Sequence, residues 1–365
     1  MIKKLTVDYA GPSDLVVKIS NELREQFEKR LEPGIDYSSL LLMGGAGFGD
    51  FDSQVSDIDL WLVFPDMSPS ERLEKVAELN NSFKEIKSEL IAENNLTLNN
   101  FRHPPTYLSE KEARWYQKSF AAKVGLPISL GIFPVLSGWP REKEYYFSDS
   151  QLKRDIAYSC WVFMNNFLHP PDNQVEELGR YCYKRATYFL RFILIYEKDL
   201  YIPRQERLLE MGENYLPEWR DAINMMRQVF EGNGSIPGMD AFNNSVGGIM
   251  KRELVKFQTA GLIDDLNLLK GSTRTRLCWT MEKLRWDYLQ ISDKTLAFKK
   301  WAYDSEQINS LFVDFFHLVK QSDFMNEWVE FQAEISQYSD NPNELYYQKM
   351  SIFFDRAMEF VDDLF

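Results

Sequence analysis

Apolar and polar positions follow two regimes along the chain. Up to about residue 140, short apolar runs alternate with amphipathic stretches; beyond it, nearly every segment repeats at helical spacing. Ser13 to Leu31 alternates apolar and charged residues with a helical period, and Ser13 is placed to cap it. Pro33-Gly34 breaks that pattern. Leu40 to Met43 is apolar and too short for a helix before glycines, so it reads as a buried strand. The run SDIDLWLVF, Ser56 to Phe64, enters a second strand. A long charged helix is predicted from about Pro69 to Glu93, ended by Asn94-Asn95. Leu96 to Phe101 is expected as a strand, Ser109 to Val124 as a helix, and Leu126 to Val135 as a further strand.

Ser137-Gly138-Trp139-Pro140 and the charged run REKE mark a boundary. A helix capped by Ser148-Asp149 is predicted to run through Phe167, ahead of Pro170-Pro171. Asp172 is placed to cap the next helix, which carries GRYCYKRATYFLRFILIYEK. Further amphipathic patterns cover Leu216 to Phe230, Asp240 to Ala260, Thr273 to Ile291, Ser305 to Val319 and Asn343 to Leu364. The fold class this predicts is α+β, with a small mixed-sheet domain over residues 1–140 and a helical bundle over 141–365.

Composition narrows the function. The 365 residues are 44% hydrophobic and 15% aromatic, which marks a folded chain with sizeable cores. No apolar run approaches membrane length, and the segment MIKKLTVDYAG lacks a signal-peptide core, so a soluble, cytoplasmic protein is expected. Cys160, Cys182 and Cys278 are odd in number and far apart, which suits buried thiols in a reducing compartment. The net charge of −13 argues against a nucleic-acid acceptor. It suits a cationic small molecule through long-range attraction, or serves solubility alone.

The candidate chemistry lies in Leu40 to Phe64, LLLMGGAGFGDFDSQVSDIDLWLVF. Gly44, Gly45, Gly47 and Gly49 let a backbone turn tightly and approach a ligand closely. Exposed N–H groups in such a turn suit phosphate oxygens. The turn is neither a Walker sequence nor a GxGxxG fingerprint, since no GK[ST] follows and no helical pattern starts behind it. Asp57 and Asp59 alternate with Ile58 and Leu60, so in a strand their carboxylates share a face, roughly 7 Å apart at the backbone. That pair suits one or two magnesium ions shared with a nucleotide phosphate. Ser56 stands where its hydroxyl can bond a phosphate or cap the turn. Without its flanks, the same DxD is an ordinary solvated strand end.

This stretch resembles the signature of the polymerase-β-type nucleotidyltransferase superfamily: a Gly-Ser pair, a loop with a later glycine, then [ST]-D-x-D entering a hydrophobic strand. Gly44 and Gly45 match the pair, with glycine in place of serine; Gly49 matches the later glycine; Ser56, Asp57 and Asp59 match the metal-binding end. The resemblance implies Mg2+ as cofactor and an NTP, ATP first among them, as substrate. It implies transfer of a nucleoside monophosphate to an acceptor hydroxyl with release of pyrophosphate. Phe48 stands where the loop often carries a basic residue. The family places a third carboxylate on a later strand, where Leu126 to Val135 offers Ser129 and Gly131 instead.

The resemblance also permits a cation from the first bundle helices to reach the triphosphate. Among Arg180, Lys184, Arg185 and Arg191 the choice falls on Lys184, against the plain alternative of a solvated helix face. Asp155, Glu176 and Glu177 are candidates for the base, or ordinary first-turn acids. Trp139 is placed to stack on a nucleobase, or in a core. His103 and His169, beside prolines, read as loop residues. The texture of the second half is similar to antibiotic nucleotidyltransferases, so the leading expectation is an aminoglycoside-like acceptor. Two alternatives stand beside it: a toxin-like enzyme modifying a protein or tRNA, and a degenerate relative that binds nucleotide or a partner without turnover.

Overall fold

The computed structural model describes residues 5–51, 56–65, 67, 69–94, 96–101, 103–119, 125–129, 132, 153, 155–156, 175–231, 239–261, 263–264, 269–270, 273–274, 276–277, 313–337 and 344–363. It is a mixed α/β chain, mostly helical, with small sheets. By internal contacts it divides into two compact units that do not run in sequence order. One comprises Met1–Asp66 and Asn81–Asp264, the other Met67–Asn80 and Asp265–Phe365. The boundary expected near Ser137 to Pro140 lies outside the described residues.

The first unit carries the sheet. Helix α1 (Asp14–Glu28) starts where Ser13 accepts from the Val16 N–H at 3.4 Å and buries Val16, Ile19, Leu23 and Phe27, a stripe at helical spacing. Strand β2 (Ser39–Met43) is buried throughout and pairs antiparallel with β3 (Asp59–Phe64). β3 is central and pairs on its other side, in parallel, with β4 (Thr106–Ser109). Helix α2 (Gly44–Phe48) joins β2 to the segment before β3, and α3 (Pro69–Asn94) follows β3. Phe27, Tyr37, Phe83 and Phe101 form a ring cluster in this unit, with centroids 6.1 to 6.3 Å apart.

Two expectations are corrected. Leu96 to Phe101 is not a strand: Leu98–Phe101 is a 3-10 turn, because the Asn100 side chain takes the Thr97 N–H at 2.8 Å and bends the backbone locally. Leu126 to Val135 does not open as a strand: Leu126–Ser129 is one helical turn, α5, with Pro127 in its first turn where a missing N–H costs nothing. Gly131 and the Ser129 side chain lie outside the described residues. The third strand is instead β4, only four residues long behind Pro104-Pro105, too short to show alternation. Ser109 ends it and caps α4 (Glu110–Ser119) in a reciprocal box: Ser109 N–H donates to Glu112 at 2.9 Å, and Glu112 N–H to Ser109 Oγ at 3.2 Å.

The same unit holds a helical group: α6 (Val175–Lys198), α7 (Gln205–Tyr215), α8 (Arg220–Glu231), the short α9 (Met239–Phe242) and α10 (Gly248–Thr259), the last two joined by a π turn at Asn243–Gly247. α6 ends at Asp199, held left-handed at φ +51°. There the chain turns into β5 (Leu200–Tyr201), which pairs in parallel with β1 (Thr6–Val7). In the second unit, α11 (Met325–Ser336), α12 (Glu344–Asp363) and the helical segment 313–319 share an aromatic core. Trp328 stacks on Phe315 at 5.7 Å and Phe331 on Phe353 at 3.5 Å. Among the described residues, no helix is long and apolar enough to cross a membrane.

Candidate functional site

Antiparallel pairing sets Met43 opposite Asp59, so the chain leaving β2 at Gly44 starts beside the Asp59 carboxylate. Gly44 has φ +62°, and a Cβ added there would fall against Asp59 Oδ2, 3.1 Å from its Cγ and 3.3 Å from its Cβ. Glycine is therefore required twice over, for the left-handed backbone and for the room that Asp59 takes. The glycine stretch is helical rather than an open turn. Gly44–Phe48 makes one short helix closed by Gly49 at φ +84°, with the Asp50 N–H donating to Gly45 O at 2.8 Å. A Cβ at Gly45 would meet only the Asp50 carbonyl, at 3.8 Å.

Exposure alternates along the aspartate segment. Ile58, Leu60 and Leu62 are buried, while Asp57, Asp59 and Trp61 are partly exposed, which puts both carboxylates on one face. Trp61 continues that face and meets Tyr116 of α4 edge-on at 5.2 Å. Ser56 and Asp57 precede the strand itself. Asn100 holds this lead-in: its Nδ2 donates to Ser56 O and its carbonyl accepts from the Ile58 N–H, both at 2.7 Å.

Gly44, Gly45, Ser56, Asp57 and Asp59 thus belong to one local assembly around the β2–β3 pair. Lys184 is exposed on α6. Arg191 of the same helix, 2% exposed, meets the glycine segment. Its guanidinium lies 5.1 Å from the ring centres of both Phe48 and Tyr188, and donates to Ile202 O at 2.8 Å and Pro203 O at 2.7 Å. Sequence reasoning passed over it as one of four surface cations. The available signal was an arginine inside the apolar run YFLRFILI. Asn100 carried no comparable signal, since nothing local marks an asparagine as buried.

Asp50, also passed over, ties the end of the glycine segment to α7. Its Oδ2 accepts from the Gln205 N–H at 3.0 Å, capping that helix from a distant part of the chain, and Arg204 stands 3.8 Å from Oδ1. Burial lifts the Asp50 carboxyl to about 6, against the opposing pull of the Gln205 N–H, Arg191 and Arg204. A raised acid pKa means the folded chain keeps a proton that the unfolded chain releases near pH 4. This contribution is complete below about pH 4 and is lost as pH rises through 6. Asp50→Asn cannot ionise and can still accept from Gln205. It is expected to match wild type at pH 4 and to exceed it by about 2–3 kcal/mol at pH 7.5. Urea unfolding across that range checks it; a difference independent of pH would refute it.

No described strand residue beside Asp57 and Asp59 supplies a third acid, since β4 reads Thr-Tyr-Leu-Ser. Among the described residues no group of three His, Cys, Asp or Glu is arranged to hold a metal ion. Asp155 is 1% exposed and acts electrostatically on Tyr201. Glu176 and Glu177 lie in the first turn of α6, their side chains outside the described residues, as are Trp139 and His169. His103 is exposed.

Gly44→Ala gives a direct test of the contact with Asp59. Left-handed alanine costs about 1–2 kcal/mol, and the new methyl displaces the carboxylate. The expected result is a loss of about 2–3 kcal/mol in urea unfolding. Unchanged stability would show that the turn relaxes without strain.

Comparison of the chain with protein-family models, with curated proteins and with solved structures finds no match in any of the three.

Proposed function

We propose that the chain is a magnesium-dependent nucleotidyltransferase acting on a hydroxyl of a small, cationic, aminoglycoside-like acceptor, with an NTP, ATP first, as donor. The observation that carries this reading is the contact of Asp59 with Gly44 at the start of the glycine segment, with Asp57 on the same face. Two partly exposed carboxylates beside a backbone without a Cβ suit a hard cation that takes its remaining oxygens from a bound triphosphate. Asp57 and Asp59 would hold the ion. Magnesium, when bound, neutralises triphosphate charge and polarises the α-phosphoryl group.

The chain's own residues then act by positioning. Gly44 and Gly45 present backbone to the phosphates, Ser56 offers a hydroxyl donor, and Lys184 supplies a cation to the triphosphate. The acceptor oxygen attacks the α-phosphorus in line. The O–P bond forms as the bond to the β-phosphate bridging oxygen breaks, pyrophosphate leaves, and the hydroxyl proton passes to a carboxylate base. The charge of −13 favours a cationic acceptor.

A second reading, nucleotide binding without turnover, is favoured by one feature: β4 brings no acid to the Asp57 and Asp59 face. One assay separates the two. The chain is incubated with Mg2+, each of the four NTPs and a panel of aminoglycosides, while pyrophosphate release and NTP binding are followed. Release dependent on acceptor and magnesium supports the enzyme. Binding without release supports the second reading, and absence of both sinks the proposal.

A further inference from the structure

We propose that Asn100 is a positioning residue for Asp57: fully buried, it grips the backbone on both sides of that aspartate and sets where its carboxylate stands. The inference rests on the reading of Asp57 and Asp59 as a metal–nucleotide site. Its geometric basis does not. Asn100 Oδ1 accepts from Thr97 N at 2.8 Å and Thr97 Oγ1 at 3.2 Å. Those two donors fix the amide orientation, so that Nδ2 faces Ser56 O. The main chain of Asn100 then takes the Ile58 N–H, and its own N–H donates to Thr97 O at 3.0 Å. The peptide groups before and after Asp57 are thus both held from one residue 44 positions away in sequence from Ser56.

The grip has a firm base. The turn carrying Asn100 follows α3, and Lys87 of that helix donates to Phe101 O at 3.3 Å. Asp57 lies outside β3 and lacks the ladder that holds Asp59 opposite Met43. Without Asn100 the peptide groups on both sides of the first aspartate would lose these two bonds, while the second stayed in the sheet. A pair that must converge on one ion needs both members fixed, and outer groups that orient a ligand typically contribute 10–100-fold to metal affinity.

The test uses the full chain with Mn2+ and ATP as probes. Asn100→Ala removes the side-chain bonds. Asn100→Asp keeps the shape and the Thr97 contacts but sets an oxygen against Ser56 O. Both are compared with Met226→Ala, a buried residue of α8 whose loss destabilises without touching the segment. In both Asn100 variants the Ile58 amide is expected to exchange at least tenfold faster and Mn2+–ATP affinity to fall about tenfold or more, whereas Met226→Ala keeps its affinity. Asn100→Ala added to Asp57→Asn should cost little further affinity, because both changes act through one carboxylate. Full affinity in the Asn100 variants, or losses that simply add to that of Asp57→Asn, would overturn the positioning role alone. Failure of wild type to bind Mn2+–ATP would overturn the reading of the site, and the role of Asn100 with it.

Discussion

On the proposed function, Asp59→Asn is expected to lower magnesium-dependent pyrophosphate release by about 10³-fold or more, some 4 kcal/mol of transition-state stabilisation, while the fold persists. The substitution keeps the shape of the side chain that faces Gly44, so the short helix Gly44–Phe48 is not displaced. What is lost is the charge, and an amide is a far poorer ligand than a carboxylate for magnesium in a small donor set. Asp59 is partly exposed at the first position of β3 and its register with Met43 is carried by main-chain bonds, so stability should change by no more than about 1 kcal/mol. Asp57→Asn should behave alike. Pyrophosphate assay alongside thermal melting reads both quantities. Retention of a tenth of the wild-type rate in either variant would remove these aspartates from the site.

Arg191→Ala should be the most damaging single change to the scaffold behind that site, costing about 3–5 kcal/mol in urea unfolding. Three losses coincide. Two hydrogen bonds to Ile202 O and Pro203 O disappear, leaving buried carbonyls. Phe48 and Tyr188 lose the cation between them. Asp50, which Arg191 helps keep ionised, is left in a buried position with less compensation, so its pKa rises further. Arg191→Met restores much of the packed volume and should recover only part of the loss, because the charge is absent from both. A loss below about 1 kcal/mol for Arg191→Ala would mean that the buried cation is dispensable.

Much of the helical content was legible in sequence because it depends on local signals. Ser13 before an amphipathic stripe announced α1, and the apolar spacing from Asp240 to Ala260 announced α9 and α10. The two long strands of the sheet were legible too, since LLLM and DLWLVF are apolar runs beside glycines or alternating acids. The weaker elements were not. Leu96 to Phe101 was expected as a strand, yet one asparagine side chain bonding back to Thr97 decided the turn. β4 is short, and partnership with β3 defines it better than its own pattern.

The candidate site divides in the same way. Sequence by itself determined that glycines and two alternating aspartates follow one another between two apolar runs, because residue type and spacing are local properties. Only the tertiary structure decided that Gly44 meets Asp59, since that contact comes from a strand register. It alone decided that Asn100 holds Ser56 and Ile58, that Asp50 caps α7 and that Arg191 meets the glycine segment. The last three join residues far apart in the chain, each through a polar side chain withdrawn from water. A polar group removed from water must find its partner wherever the fold provides one, and no local spacing records where that is.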